Sequence, residues 1–238
     1  MGQGFEVIPV IDLRHGVVVR ARAGDRASYA PIVTPLAKGS APADIARGLI
    51  AATGASTLYV ADLDAIIDGT APDLASLRRI AAACRGIRLW VDAGFSRMKG
   101  VASFLDEGLG RPVIGSESQE DATLVAALGD RAVFSLDTRG DEVLGPSALH
   151  TDWQSWPSQV IVMTLGRVDA GTGPDLAKLE RLVSADSRRR FYAAGGVRGQ
   201  DDIDALKQIG VAGALVASAI HDRTIGSHPV TGSEAPRG

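Results

Sequence analysis

The chain repeats itself. Eight short, apolar, β-rich runs can be read along it: 6–12 (EVIPVID), 57–63 (TLYVADL), 87–93 (IRLWVDA), 111–116 (RPVIGS), 132–137 (AVFSLD), 159–165 (QVIVMTL), 190–196 (RFYAAGG) and 213–218 (GALVAS). Runs two, three and four each meet a counterpart at one offset of 102 residues, placing 62 on 164, 93 on 195 and 115 on 217. Runs one and five pair at 125, where VIDLRHG lies over SLDTRGD, and the surplus of 23 residues falls after the first run. One offset shared by three pairs requires two halves of the same local architecture, because only a structural repeat keeps strand ends in step over so long a stretch.

Between most of the runs lie segments such as 71–86 (APDLASLRRIAAACRG) and 202–210 (DIDALKQIG), with Leu, Ile and Ala at three- and four-residue spacing and Gly at the end. Strands alternating with helices imply parallel pairing with crossover helices. The expectation is an α/β fold, a single (β/α)8 TIM barrel built from two half-barrel repeats. The barrel domain should span 1–225, and the Gly-, Ser- and Pro-rich residues 226–238 should form a disordered tail.

Net charge is −3 and the basic residues are scattered, so the electrostatic footprint of a nucleic-acid binder is missing. Cys84 is the one cysteine, so no intrachain disulfide and no cysteine-based metal cluster can form. The N-terminus carries no secretory pattern, and the longest apolar stretch, 211–220, is about half a membrane span. These features point to a cytoplasmic address, no membrane contact and a small-molecule substrate.

In such barrels the site forms at the C-terminal ends of the strands. Asp12 ends run one, and Asp137, its half-repeat mate, ends run five across the barrel. An Asp at a strand end is usually a cap or turn residue, but two related by an internal two-fold place opposed carboxylates over one cavity. That arrangement suits proton removal on one side and donation on the other, if the environments separate their pKa values. The rim adds Asp62 and Asp64 after strand two, Asp92 after three, Arg139 after five, and Thr164 and Asp169 after six. No His lies at ligand spacing near these acids, so no metal is expected.

Gly195 and Gly196 after strand seven, with Ala217 and Ser218 after strand eight, match the phosphate cup that these barrels build from their last two loops. The repeat predicts an opposite cup from Gly94, Gly115 and Ser116, where Asp92 would repel a phosphate and Phe95 would crowd it. His15, His150, His221 and His228 are expected to be structural or solvent-facing, with only His15 near the mouth; Trp90, Trp153 and Trp156 are expected to pack.

VIPVIDLRHGVVVRARAGDRASY, YVADLDAI, SLDTRGD, TLGRVDAGTGPD and AAGGVRGQDDIDAL followed by GALVASAIH, in that order, resemble the histidine-biosynthesis (HisA/HisF) barrel family over roughly residues 6–225. That family contains ProFAR isomerases and the cyclase of imidazole-glycerol-phosphate synthase; the wording ADLDAI, LWVDAG and VASAIH is most similar to the related proteins of methanogens and methylotrophs. The resemblance implies Asp12 as general base, Asp137 as general acid, and Thr164 and Asp169 as their supports. It also implies phosphate on Gly195, Gly196, Ala217, Ser218, Gly94, Gly115 and Ser116, substrate contacts from Arg20, Asp62 and Arg139, and no cofactor. The implied reaction is an Amadori rearrangement of a phosphoribosyl aminoaldose.

Several residues depart from the family pattern. Leu165 follows Thr164, Ala170 follows Asp169, AGFS stands for the strand-three glycine pair, and Ala217-Ser218 replaces the usual Gly-Lys. VVVRARAG offers Arg20 and Arg22 but no lysine for cyclase chemistry. Three functions stay open on this basis: a ProFAR-type isomerase; a diverged enzyme on another phosphosugar or aromatic riboside, in methanopterin or methanofuran synthesis for example; and a non-catalytic barrel that binds a phosphorylated ligand.

Overall fold

In a computed structural model, which describes residues 4–20, 29–168 and 171–225, the eight expected strands are Glu6–Arg14, Thr57–Asp62, Arg88–Asp92, Arg111–Gly115, Val133–Arg139, Gln159–Thr164, Arg190–Ala194 and Gly213–Val216. Each pairs in parallel with the next, from Val10 beside Tyr59 to Tyr192 beside Gly213. Strand one also pairs in parallel with strand eight, Ile8 beside Leu215, so the sheet closes. The barrel is a (β/α)8 barrel. The tail 226–238 and Asp169 lie outside the described residues.

The two halves share a detail finer than strand order. Strand one runs past Asp12 into an antiparallel pairing with Val17–Arg20 through a turn in which His15 and Gly16 both have positive φ. Strand five runs past Asp137 into an antiparallel pairing with Glu142–Val143 over Gly140, again at positive φ. The matched segments VIDLRHG and SLDTRGD thus encode the same hairpin extension just beyond each aspartate.

Period-two alternation divides the core in two. Ile8, Tyr59, Trp90, Val113, Val133, Ile161, Tyr192 and Leu215, one from each strand, point inward and fill the barrel. Trp90 and Tyr192 meet edge to face across it at 4.9 Å. The other parity faces the helices: Ile45 and Leu49 of the helix Pro42–Thr53, Leu77 and Ile80 of Leu74–Ala83 and Leu179 of Leu176–Ala185 are buried there. Asp73 and Asp175 cap the latter two helices by accepting the amides of Ser76 and Lys178, and Gly54 ends the first in the left-handed region. Trp153 and Trp156 stack at 5.3 Å, and the Trp156 indole donates to the Leu149 carbonyl at 2.7 Å, so both pack as expected.

The N-terminal end of the barrel is closed by Glu6, which accepts from Arg190 at 2.6 Å and from Arg88 at 3.3 Å. Arg111 and Gln159 pair beside them. The opposite end carries Asp62, Asp92 and Thr164 at the strand termini, with Asp12 and Asp137 two residues before the ends of strands one and five. No helix among the described residues is long and apolar enough to cross a membrane.

Candidate active site

Asp12 projects from strand one, half-buried, into a pocket it shares with Arg20, Val168, Ala217, Ser218 and His221. The Arg20 guanidinium donates to both carboxylate oxygens of Asp222, at 2.9 and 3.1 Å, which holds the arginine over this pocket. His221 is buried, with Nδ1 3.0 Å from the Thr34 hydroxyl. Burial, then the charge of Arg20, pulls its pKa below the usual imidazole value. His221 corrects the expectation that only His15 lies near the mouth; His15 instead sits exposed against Asp64, 3.1 Å from it.

On the far wall Asp137 is almost fully buried, 5% exposed. The Ser135 hydroxyl donates to its Oδ1 at 2.5 Å, while the Ser116 hydroxyl and the Glu117 amide reach Oδ2 at 3.3 and 3.4 Å. Burial pushes its pKa up to about 7; the charges of Asp92 and Glu117 push the same way, and the hydrogen bonds from Ser135 and Glu117 oppose them. At the end of strand three Asp92 accepts the Tyr59 hydroxyl at 3.1 Å and the Gly94 amide at 3.1 Å. Burial lifts Asp92 to about 6 against those two donors. In an eight-stranded ring strands one and five are diametric, so a partly solvated carboxylate and a desolvated one face each other across the mouth.

The expected residues divide into those that line this mouth and those that brace it. Asp62 was expected to touch substrate, but it is wholly buried and both its oxygens accept backbone amides, from Ala65 at 3.2 Å and Asp73 at 2.7 Å. It ties two helix starts together. Ser116 was expected at a phosphate; it is buried, donates to the Leu144 carbonyl at 2.8 Å and accepts the Asp137 amide at 2.9 Å. The Gly94 amide is engaged by Asp92, and a Cβ on Gly115 would lie 3.0 Å from Asp137 Oδ2. In this structure these groups are engaged by acids, Gly94 by Asp92 at the end of its own strand and Ser116 by Asp137 on the neighbouring strand.

Gly195 and Gly196 have φ of +94° and +87°. A Cβ on Gly195 would lie 2.6 Å from the Thr164 carbonyl, and one on Gly196 would strike the Gly173 carbonyl. The pair lets the strand-six loop lie directly on the strand-seven loop. Arg167 fixes that loop through the Gly173 carbonyl at 3.0 Å, and Arg198 reaches Gly171 from beyond strand seven. Thr164 is buried at the start of the loop, and Arg139 is exposed at the end of strand five. Among the described residues no group of three or more His, Cys, Asp or Glu is placed to hold a metal ion.

Residues 6–226 match the family described as Histidine biosynthesis protein. The chain belongs to this family. A relative from Halothermothrix orenii is 30% identical over 92% of this chain and 95% of its own length, and one from Thermus thermophilus is 30% identical over 93% and 96%. Both are named as phosphoribosyl imidazole-4-carboxamide isomerases. An uncharacterized protein of Methanocaldococcus jannaschii is 27% identical over 91% of this chain and 93% of its own.

Within this histidine-biosynthesis barrel, Tyr59, Ser135, His221 and Lys178 were missed from sequence. Tyr59 and Ser135 carry a local signal: each lies two residues before an inward-facing neighbour, Ala61 and Asp137, so strand parity alone puts them on the barrel interior. Lys178 carries none. It reaches from its helix to donate to the Thr138 hydroxyl at 2.8 Å behind strand five, and burial pulls its pKa down.

Proposed function

We propose that the chain is an aldose–ketose isomerase that performs an Amadori rearrangement of a phosphoribosyl aminoaldose, the activity for which its relatives are named. Asp137 protonates the ring oxygen, the C1–O bond breaks, and the nitrogen lone pair closes a protonated Schiff base. Asp12 removes the C2 proton to give the enaminol, which tautomerises to the aminoketose as a proton returns at C1 and the C2 hydroxyl becomes the carbonyl. No redox equivalent is consumed.

The observation that carries this reading is the opposition of Asp12 and Asp137 on strands one and five with unequal burial. A carboxyl at about pH 7 can give up a proton near neutrality, whereas a partly solvated one can accept. Gly195, Gly196, Ala217 and Ser218 would hold one phosphate with Arg20 at its edge; Thr164 and Asp169 would support the acid–base pair, and Arg139, exposed at the end of strand five, would contact the substrate. The relatives' names favour this activity over the cofactor-pathway enzyme and the non-catalytic barrel.

The test is turnover of ProFAR by the purified protein. Asp12→Asn and Asp137→Asn should each lower kcat by about 10²–10⁴ with folding intact. Turnover at the wild-type rate in either variant would end the assignment.

A further inference from the structure

The cavity beside Asp12 contains a buried imidazole that the reaction above does not use. His221 closes the short helix Ser218–His221 after strand eight and is 5% exposed. Its partner, Thr34, comes from the return arm of the first loop, which the Ile32 amide pins to the Val18 carbonyl at 2.9 Å. Asp12, Arg20, Ser218 and His221 line one cavity of about 40 Å³. A water molecule takes about 30 Å³ in the liquid, so the space suits one hydroxyl-sized group, and a group that enters it is within reach of both Asp12 and His221.

The hydrogen bonds fix which ring nitrogen carries the proton. Thr34 Oγ1 lies 3.0 Å from His221 Nδ1 and accepts the Leu36 amide at 3.3 Å. Among the described residues, Nδ1 is the one acceptor within reach of the Thr34 hydroxyl proton, so Thr34 donates to Nδ1 and the ring proton sits on Nε2. No other described residue bonds the ring, yet Nε2 is not sealed in the core without a partner. It therefore reaches accessible space, and the space that His221 lines is the Asp12 cavity. Burial and the charge of Arg20 keep the imidazole uncharged at neutral pH. Arg20 itself is engaged by both oxygens of Asp222, and Asp12 adds a carboxylate to the wall, so this uncharged donor suits a neutral oxygen better than a second anion.

We infer that His221 is a specificity-determining residue: its Nε2–H donates to a sugar hydroxyl beside the carbon from which Asp12 takes the proton, and Thr34 holds the ring for that contact. The inference rests on the isomerase reading for the identity of that carbon, but the hydroxyl contact at Nε2 can be measured without it. A carboxylate acceptor and an imidazole donor on two walls of one small cavity match a carbon that bears both a hydrogen and a hydroxyl. A substrate lacking that hydroxyl would leave the Nε2–H facing no acceptor, which is how a site built for an OH rejects the analogue without it. An aliphatic side chain at 221 would keep the wall and lose this discrimination.

The experiment is nitrogen NMR of the full chain isotope-labelled at histidine, with His221 assigned by its loss in His221→Gln or by elimination through variants of the other three histidines. The free protein should show the proton on Nε2 of His221 and Nδ1 as an acceptor. Ribose 5-phosphate should move the Nε2 resonance and leave Nδ1 in place, whereas inorganic phosphate should move neither. A proton found on Nδ1, an Nε2 resonance that ribose 5-phosphate does not move, or one that phosphate alone moves, each overturns the inference. Because these signals are read in the wild-type chain, a variant that fails to fold does not remove the test. In turnover of ProFAR, His221→Leu should lower kcat/KM by about tenfold, and His221→Gln, which keeps an N–H donor, should recover most of it; equal losses in the two folded variants would reduce His221 to packing. Absence of turnover in the wild-type protein would sink the isomerase reading while the Nε2 shift still decides the contact.

Discussion

The two sides of the mouth present the same residue type in opposite surroundings. On the side of strands one, seven and eight, Asp12 is half-exposed and shares its pocket with Arg20, Ser218 and His221. On the side of strands three to five, Asp137 is buried against Ser135 and Ser116 and feels the charge of Asp92, and Lys178 lies behind the sheet. A duplicated half-barrel supplies two equivalent aspartates; unequal desolvation gives them different chemistry. A symmetric pair would share one pKa and could not act as acid and base at one pH.

The sharpest break of this comparison is to remove each carboxylate and read stability as well as rate. Both Asp12→Asn and Asp137→Asn should lose turnover, and Asp137→Asn should also change how stability depends on pH. A carboxyl whose folded pKa is raised contributes stability that is fully present below its unfolded value and is lost as pH rises through the folded one. For Asp92 and Asp137 that window runs from about pH 4 to about 6 and about 7. Thermal melts of the wild type should therefore decline between about pH 4 and about 7 by an amount equivalent to a few kcal/mol, and Asp137→Asn should flatten that decline.

Next in size is Gly145→Ala. Gly145 has φ +88°, and a Cβ there would strike the Ser116 carbonyl, the residue whose hydroxyl accepts the Asp137 amide. Strain and displacement together should cost roughly 2–3 kcal/mol by denaturant unfolding. Gly54→Ala, also at positive φ but facing open space, should cost less, so equal losses would show that the Ser116 contact is unimportant.

A smaller effect is expected for Ser135→Ala. Its hydroxyl favours the ionised form of Asp137, so its loss should raise that pKa and carry the alkaline limb of kcat/KM to higher pH. A shift downward would contradict the hydrogen-bond assignment. Smallest of all, Asp222→Asn breaks the pair with Arg20 on the exposed side and should change stability by less than about 1 kcal/mol. A larger loss would mean that this wall is as tightly organised as the other.

Much of the fold was legible. All eight strands were readable because inward and outward positions alternate with a fixed period and each run ends in polar or small residues. The 125-residue offset between Asp12 and Asp137 placed them on diametric strands without any coordinates. Even the hairpin extensions are visible in VIDLRHG and SLDTRGD once their Gly residues are taken as turns. The site was legible in outline only. Asp62 and Ser116 have the residue type and location of substrate ligands, yet their polar atoms are taken by Asp73, Asp137 and Leu144. His221 was set aside because nothing adjacent in sequence marks it; Thr34, its partner, is 187 residues away.

The sequence by itself determined the barrel, its duplication and the pairing of two aspartates across it, because period-two alternation and a repeat offset are local or arithmetic properties of the chain. The tertiary structure alone decided which aspartate is desolvated and which mouth residues, Ser116 and Gly94 among them, engage acids. Those outcomes depend on which donors reach a carboxyl first and how much water is excluded around it, and both are set by atoms that only folding brings into contact.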